Sequence, residues 1–224
     1  MLAEFWQDYG QLLAQGTGTT LYMTLASTLM AYVLGIPMGI ILVVTAPGGL
    51  RPNAVIYKIM DFAVNIVRSV PFLILLIMIM PFTRLIVGKS YGSTATVVPL
   101  VVSAAPFIAR MVESSLLEVD HGVIEAAQSM GASNWIIISK VMLTEARTSL
   151  IVGATIALGT ILGYSAMAGT VGGGGLGDIA IRYGYYRYET GVMLITVVLL
   201  VLLVQIMQAI GMKISKKLDK RITG

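Results

Sequence analysis

Cysteine is absent from this chain of 224 residues, and histidine occurs once, at position 121. The first absence excludes disulfides, thiol nucleophiles and Cys-based zinc sites, and the second leaves no histidine cluster for a transition metal. Charge is scarce as well. Asp, Glu, Lys and Arg make up 12% of the residues, where a soluble domain has about 25%. No basic residue precedes Arg51. The N-terminus therefore lacks the basic region of a secretory signal, and its first apolar run is too long for one, so that run is read as a retained spanning helix. No G-x-x-x-x-G-K-[ST] sequence occurs, which excludes ATP binding through a P-loop.

What remains is oily. The chain is 57% apolar with a mean hydropathy of +0.87, the composition of a polytopic membrane protein. A helix needs about 20 mostly apolar residues to cross the hydrocarbon core. Five stretches qualify: 19–44, 55–80, 92–111, 149–168 and 190–212. The expected fold is therefore all-α, a single transmembrane domain over 1–224 built as a bundle of five transmembrane helices. Prolines at 37, 71, 99 and 106 fall inside or beside these runs, where neighbouring helices can satisfy the freed backbone groups. Small residues such as Gly35, Gly39, Ala104 and Ala105 mark places where helix backbones pack closely. The 14 methionines are read as adaptable apolar filler.

The net charge of +4 does not signal nucleic acid, because the basic residues stand at the ends of the apolar runs. With the N-terminus outside, the inner segments hold Arg51, Lys58, Arg110, Lys140, Arg147, Lys213, Lys216, Lys217, Lys220 and Arg221. The outer ones hold only Arg84, Lys89, Arg182 and Arg187. Positive charge accumulates on the cytoplasmic side, so the polar interruption 113–147 and the C-terminus are expected in the cytoplasm. The C-terminal basic cluster is read as an anchor beside anionic headgroups.

The segment 113–147 reads as two short helices, 122–130 and 134–143, with a corner between them. Asp120 can cap the first and Ser133 the second, and Gly131 stands where a left-handed residue would end the first. The alternatives are a knob that inserts into a partner and an amphipathic loop on the membrane surface. Arg68 falls deep in the second apolar run, where a charge faces protein or a water-filled cavity. It either lines a pathway or contacts a carboxylate ligand, or it pairs with Asp61, seven residues away on the same helix face, or with carbonyls near the cytoplasmic face. Tyr164, Ser165 and Met167 close the fourth run, where bulky, adaptable side chains can seal a passage or simply pack in the bundle. Gly172–Gly177 formally matches G-x-G-x-x-G, but a membrane span precedes it where a dinucleotide fold needs a strand. The glycines are read as a close-packed turn before a short helix, 178–185. The tyrosines from 183 to 188 are read as an interfacial belt or as part of a surface for an external protein.

Glu125-Ala126-Ala127, then Gly131, then Val141-Met142-Leu143 resemble the EAA loop of ABC importer permeases. Thr144 stands where that pattern usually has proline, so the second helix is expected to end less sharply. Asn65-Ile66-Val67-Arg68-Ser69-Val70-Pro71-Phe72, Pro81-Phe82-Thr83-Arg84 and Ala105-Pro106-Phe107-Ile108-Ala109-Arg110-Met111-Val112-Glu113 are similar to the amino-acid uptake branch. Gly163-Tyr164-Ser165-Ala166-Met167-Ala168-Gly169, with the glycines that follow, is closer still to methionine importer permeases. The resemblance implies a bacterial inner-membrane subunit without catalysis of its own, with Glu125, Ala126, Ala127 and Gly131 docking on an ATPase subunit. It implies Tyr164, Ser165, Met167 and Arg68 as pathway or gate residues. The implied partners are a second copy of the chain, two ATP-binding subunits that hold ATP and magnesium, an external substrate-binding protein and membrane lipid, but no nucleic acid. The competing readings are a permease for another amino acid, an ion-coupled secondary transporter and a membrane-embedded enzyme. The last two lack, respectively, internal repeats with intramembrane acids and a paired acid–base or metal constellation.

Overall fold

The computed structural model describes residues 2–218, with side chains from Phe5 onward. Lys220 and Arg221 of the C-terminal basic cluster lie outside the described residues. All the regular structure described is helical. The long helices are α1 (Leu2–Thr45), α5 (Ser93–Leu117), α9 (Arg147–Ala168) and α11 (Thr190–Leu218). Each is long and apolar enough to cross a membrane, and a broken pair supplies a fifth span if counted as one.

That pair is α2 (Ala54–Ser69) and α3 (Phe72–Met78), followed by α4 (Met80–Val87). The second apolar run is therefore not one helix, as its hydropathy alone suggests. Pro71 has no N–H to give to the turn before it and pushes Val70 away from helical geometry. Pro71 itself sits at φ −56°, ψ 133°. Its carbonyl then accepts from the Leu75 amide at 3.0 Å, so the same residue that ends α2 starts α3. Pro37 lies within α1, and Pro99 and Pro106 lie within α5, all without a break.

Contacts divide the chain into two units: Met1–Met30, Val70–Ala104 and Leu158–Gln208 form the first, and Ala31–Ser69, Ala105–Ala157 and Ala209–Gly224 the second. The first unit has a core of Leu13, Leu176, Ile179 and Val192, flanked by Phe5, Tyr9 and Tyr183. Its glycine-rich turn packs backbone on backbone. A side chain on Gly169 would fall on the Gly177–Asp178 peptide, and one on Gly177 would fall on Ala166. After that turn come α10 (Gly175–Ile179) and a π-helical turn, Ala180–Tyr185. The Thr20 hydroxyl donates to the Gly16 carbonyl within α1 and accepts from the Leu176 amide at 2.9 Å, fastening the start of α10.

The second unit is held by close helix crossings. Gly35 and Gly39, one helical turn apart, form a small-residue stripe on α1 against α5. A Cβ at Gly35 would lie 2.6 Å from Ile108, and one at Gly39 would lie 2.7 Å from the Ala109 carbonyl oxygen and from Val112. Beside this contact Leu42, Val64 and Ala109 are fully buried and covered by Met38, Tyr57 and Met60. At the other side Gly211 of α11 meets Thr155 of α9 so closely that any larger residue would overlap its hydroxyl.

Candidate functional site

The polar segment between α5 and α9 folds as expected into two helical pieces around a corner. The first is α6 (His121–Ser129). The Asp120 carboxylate accepts from the Gly122 amide at 2.7 Å, satisfying one of the donors that a helix start leaves unpaired. At the other end Gly131 has φ 78°, a conformation that costs a residue with a Cβ about 1–2 kcal/mol. Two hydrogen bonds lock it: Ala132 N–H donates to the Ala127 carbonyl at 3.1 Å and Gly131 N–H to that of Gln128 at 2.9 Å. This is a full Schellman cap, so glycine fixes both the end of α6 and the direction in which the chain leaves.

Ser133 starts the second piece, its hydroxyl accepting from the Ile136 amide. The piece runs through α7 (Asn134–Ile136), a π-helical stretch (Ile137–Met142) and α8 (Leu143–Glu145). With Thr144 in place of a proline the helix continues to Glu145, two residues beyond the length expected from sequence. Ala146 then turns the chain into α9.

The faces of this knob differ. Ile124, Ala127, Ile137 and Met142 are buried. Glu125 and Ala126 are exposed, as is Gly131. Glu125 lies 3.7 Å from His121 one turn back, an ion pair when the imidazole is protonated. Of the four residues singled out in sequence, Glu125, Ala126 and Gly131 thus share the outer surface, whereas Ala127 packs inward and carries the cap. Sequence reasoning missed the apolar part of that surface: Met130 is 81% exposed and Trp135 75%. Their signal is a large apolar side chain on each side of a predicted corner in a polar segment.

The pathway candidates are placed less uniformly. In the first unit Tyr164 stacks on Phe72, with ring centroids 4.5 Å apart and planes 4° from parallel. Phe72, the first residue of α3 after the Pro71 break, was not singled out in sequence. Ser165 is buried and its hydroxyl donates to the Leu162 carbonyl at 2.7 Å. Met167 is half-exposed. Tyr183 packs edge-on against Tyr9 and lies under the Arg187 guanidinium, whereas Tyr185, Tyr186 and Tyr188 are exposed.

In the second unit Arg68 occupies the last turn of α2. It does not pair with Asp61. That carboxylate is held by Arg110 of α5, which also donates to Asn65 at 3.0 Å and to Glu113 at 2.6 Å. Asn65 closes the ring by donating to Asp61 at 3.2 Å. The Arg110–Glu113 half was legible as an i, i+3 pair. The Asp61 half joins positions 49 apart and was not. Arg68, without an ion pair among the described residues, lines a cavity of about 300 Å³ together with Arg110, Met111 and Glu118.

Over residues 31–222 the chain matches the family model described as binding-protein-dependent transport system inner membrane component. A probable D-methionine transport system permease protein MetI of Vibrio cholerae is 50% identical over 220 residues, covering 98% of this chain and 98% of that protein. The D-methionine transport system permease protein MetI of Escherichia coli K12 is 52% identical over 158 residues, covering 70% and 73%. Among solved structures, an inward-facing MetNI methionine ABC transporter aligns with a TM-score of 0.94 at 49% identity, covering 95% of this chain and 99% of that one. An amino acid ABC transporter shares the fold, with a TM-score of 0.73 at 18% identity. The expected resemblance to ABC importer permeases of the methionine type is borne out, and the chain belongs to the binding-protein-dependent transport system inner membrane components.

Proposed function

We propose that this chain is the membrane-spanning permease of an ATP-driven methionine importer, taking up the D or L form. The observation that carries the reading is the capped helix–glycine–helix knob of residues 121–145. It presents Glu125, Ala126 and Gly131 outward on a protein of this family, beside exposed Met130 and Trp135. The knob docks on a separate ATP-binding subunit, and ATP and magnesium are bound there. Two copies of the chain enclose the pathway, two ATP-binding subunits sit on the cytoplasmic side, and an external binding protein delivers the substrate. The N-terminus is outside and the C-terminus cytoplasmic, as the distribution of basic residues implies.

The chemistry is conformational. Nucleotide and loaded binding protein drive transport by binding the inward- and outward-facing states with different affinity. Arg68 lines the pathway. Tyr164, stacked on Phe72, and Met167 narrow it, while Ser165 holds the wall behind them through its bond to the Leu162 carbonyl. The test is affinity purification from membranes in mild detergent, with identification of the co-purifying subunits, followed by uptake of labelled amino acids into cells lacking other methionine carriers. The expected result is a co-purifying ATPase and ATP-dependent methionine uptake. A purified chain without any ATPase, or uptake that survives ATP depletion and collapses with an uncoupler, contradicts the reading.

A further inference from the structure

The cavity beside Arg68 does not end at Glu118. It shares Ser115, Glu118, Ser149 and Val152 with a neighbouring cavity of about 250 Å³, which extends to Glu145 and Thr148. The two are compartments of one groove between α5 and α9, and the Ser115 and Ser149 hydroxyls meet at 3.0 Å at their junction. We infer that this groove binds the charged backbone of a free α-amino acid, with Arg68 taking the carboxylate and Glu118 the ammonium group. The inference rests on the permease reading above and adds to it which part of the substrate the membrane subunit recognises.

The charges decide the ligand. Arg110 on the same wall is already held by two carboxylates, Asp61 and Glu113, and offers no free positive charge. Arg147, which follows Glu145 by two residues, donates instead to the Leu218 carbonyl at 2.9 Å. Among the described residues no ion pair engages Arg68, Glu118 or Glu145. The groove therefore offers an unmatched positive charge at one end and unmatched negative charges at the junction and the far end. A simple anion gains at Arg68 and loses at the glutamates, a simple cation does the reverse, and a neutral molecule gains at neither. A zwitterion matches both. Arg68 and Glu118 line the same compartment of about 300 Å³, at the small end of ligand-site volumes, and a single small ligand is assigned to both. Met111, Val152 and Ile156 supply apolar wall in that compartment, where a thioether or alkyl side chain can lie. Glu145 belongs to the coupling segment, which places the groove at the cytoplasmic end of the pathway, where substrate leaves. Charge-assisted contacts to backbone groups that every amino acid carries suit a release vestibule.

The experiment is equilibrium binding of labelled L-methionine to the detergent-purified permease–ATPase complex, without nucleotide. L-norleucine, N-acetyl-L-methionine and L-methioninamide serve as competitors, and the permease is wild type, Arg68→Gln, Arg68→Lys or Glu118→Gln. Norleucine competes within a few-fold of methionine, whereas the two blocked compounds do not compete. Arg68→Gln and Glu118→Gln each weaken binding about tenfold or more, the scale of a lost charge-assisted contact, and Arg68→Lys retains most of it. Wild-type affinity in both neutralised variants, or equal competition by N-acetylmethionine, overturns the vestibule. If those results accompany normal methionine uptake, the importer reading stands alone. If wild-type complex takes up a different amino acid, and that amino acid binds with the same dependence on Arg68 and Glu118, only methionine as the substrate is lost.

Discussion

The Asp61 carboxylate on α2 is held by the guanidinium of Arg110 on α5, not by that of Arg68 on its own helix. Arg110 is thereby shared between Asp61 and Glu113, and Glu113 is 8% exposed. Removing the arginine leaves a nearly buried carboxylate without its counter-charge, the costly way to break an ion pair. Arg110→Gln is expected to lower stability in detergent by about 1–3 kcal/mol, discounted because the pair is partly exposed. Arg68→Gln, which breaks no pair, is expected to stay within about 0.5 kcal/mol of wild type. Thermal unfolding followed by size-exclusion recovery separates the two. Equal losses would mean that the Asp61 contact is not what fastens α2.

Gly39 provides a second stability test. A methyl group there meets the Ala109 carbonyl oxygen and Val112, both at 2.7 Å, and a backbone oxygen cannot swing aside. Gly39→Ala is expected to cost about 1–3 kcal/mol by forcing α1 from α5. Gly163, with nothing within 4 Å of a Cβ, lies inside α9, where alanine is a better helix former by about 1 kcal/mol. Gly163→Ala should therefore be neutral or slightly stabilising in the same assay.

Long apolar runs identified the spans, because in a bilayer hydropathy is the folding constraint itself. The corner at Gly131 was visible because each of its parts (acidic cap, glycine, serine cap) is local. Partners distant in sequence were not. Asp61 lay next to a plausible partner, Arg68, on the same helix face, and only the approach of α5 decides that Arg110 takes it. Of the four prolines in or beside the runs only Pro71 breaks a helix, and nothing local shows that Phe72, just beyond it, stacks on Tyr164. Ala127, grouped with Glu125 and Ala126 through the EAA-loop resemblance, points inward because neighbouring residues on a helix stand about 100° apart.

The Phe72–Tyr164 stack predicts a transport phenotype. Tyr164→Phe keeps the ring and should transport near the wild-type rate. Tyr164→Ala loses a contact of about 0.5–1.5 kcal/mol and opens the position assigned to the gate. Proteoliposomes bearing the alanine variant are expected to show raised substrate leak without ATP and a lower yield of transport per ATP hydrolysed. Tight vesicles with normal coupling would assign the stack to packing alone.

Trp135 and Met130 test the outer face of the knob at residues 121–145, proposed above to dock on the ATP-binding subunit. Both side chains are largely exposed, so replacing them leaves the fold intact. If they lie in the interface with the ATP-binding subunit, Trp135→Asp should cut co-purification of that subunit at least tenfold, a charge being poorly tolerated in an apolar contact. Membrane insertion and thermal stability should stay at wild-type values. Unchanged co-purification would place Trp135 in the headgroup region instead.

The most direct test of the coupling account is quantitative co-purification of the ATP-binding subunits with the Gly131→Pro permease. Proline cannot adopt φ 78° and has no N–H for the Gln128 carbonyl, so the Schellman corner is lost while the spans are untouched. Normal insertion, loss of most of the bound ATPase and no ATP-driven methionine uptake are expected. Wild-type ATPase recovery and wild-type uptake in this variant would contradict the coupling account.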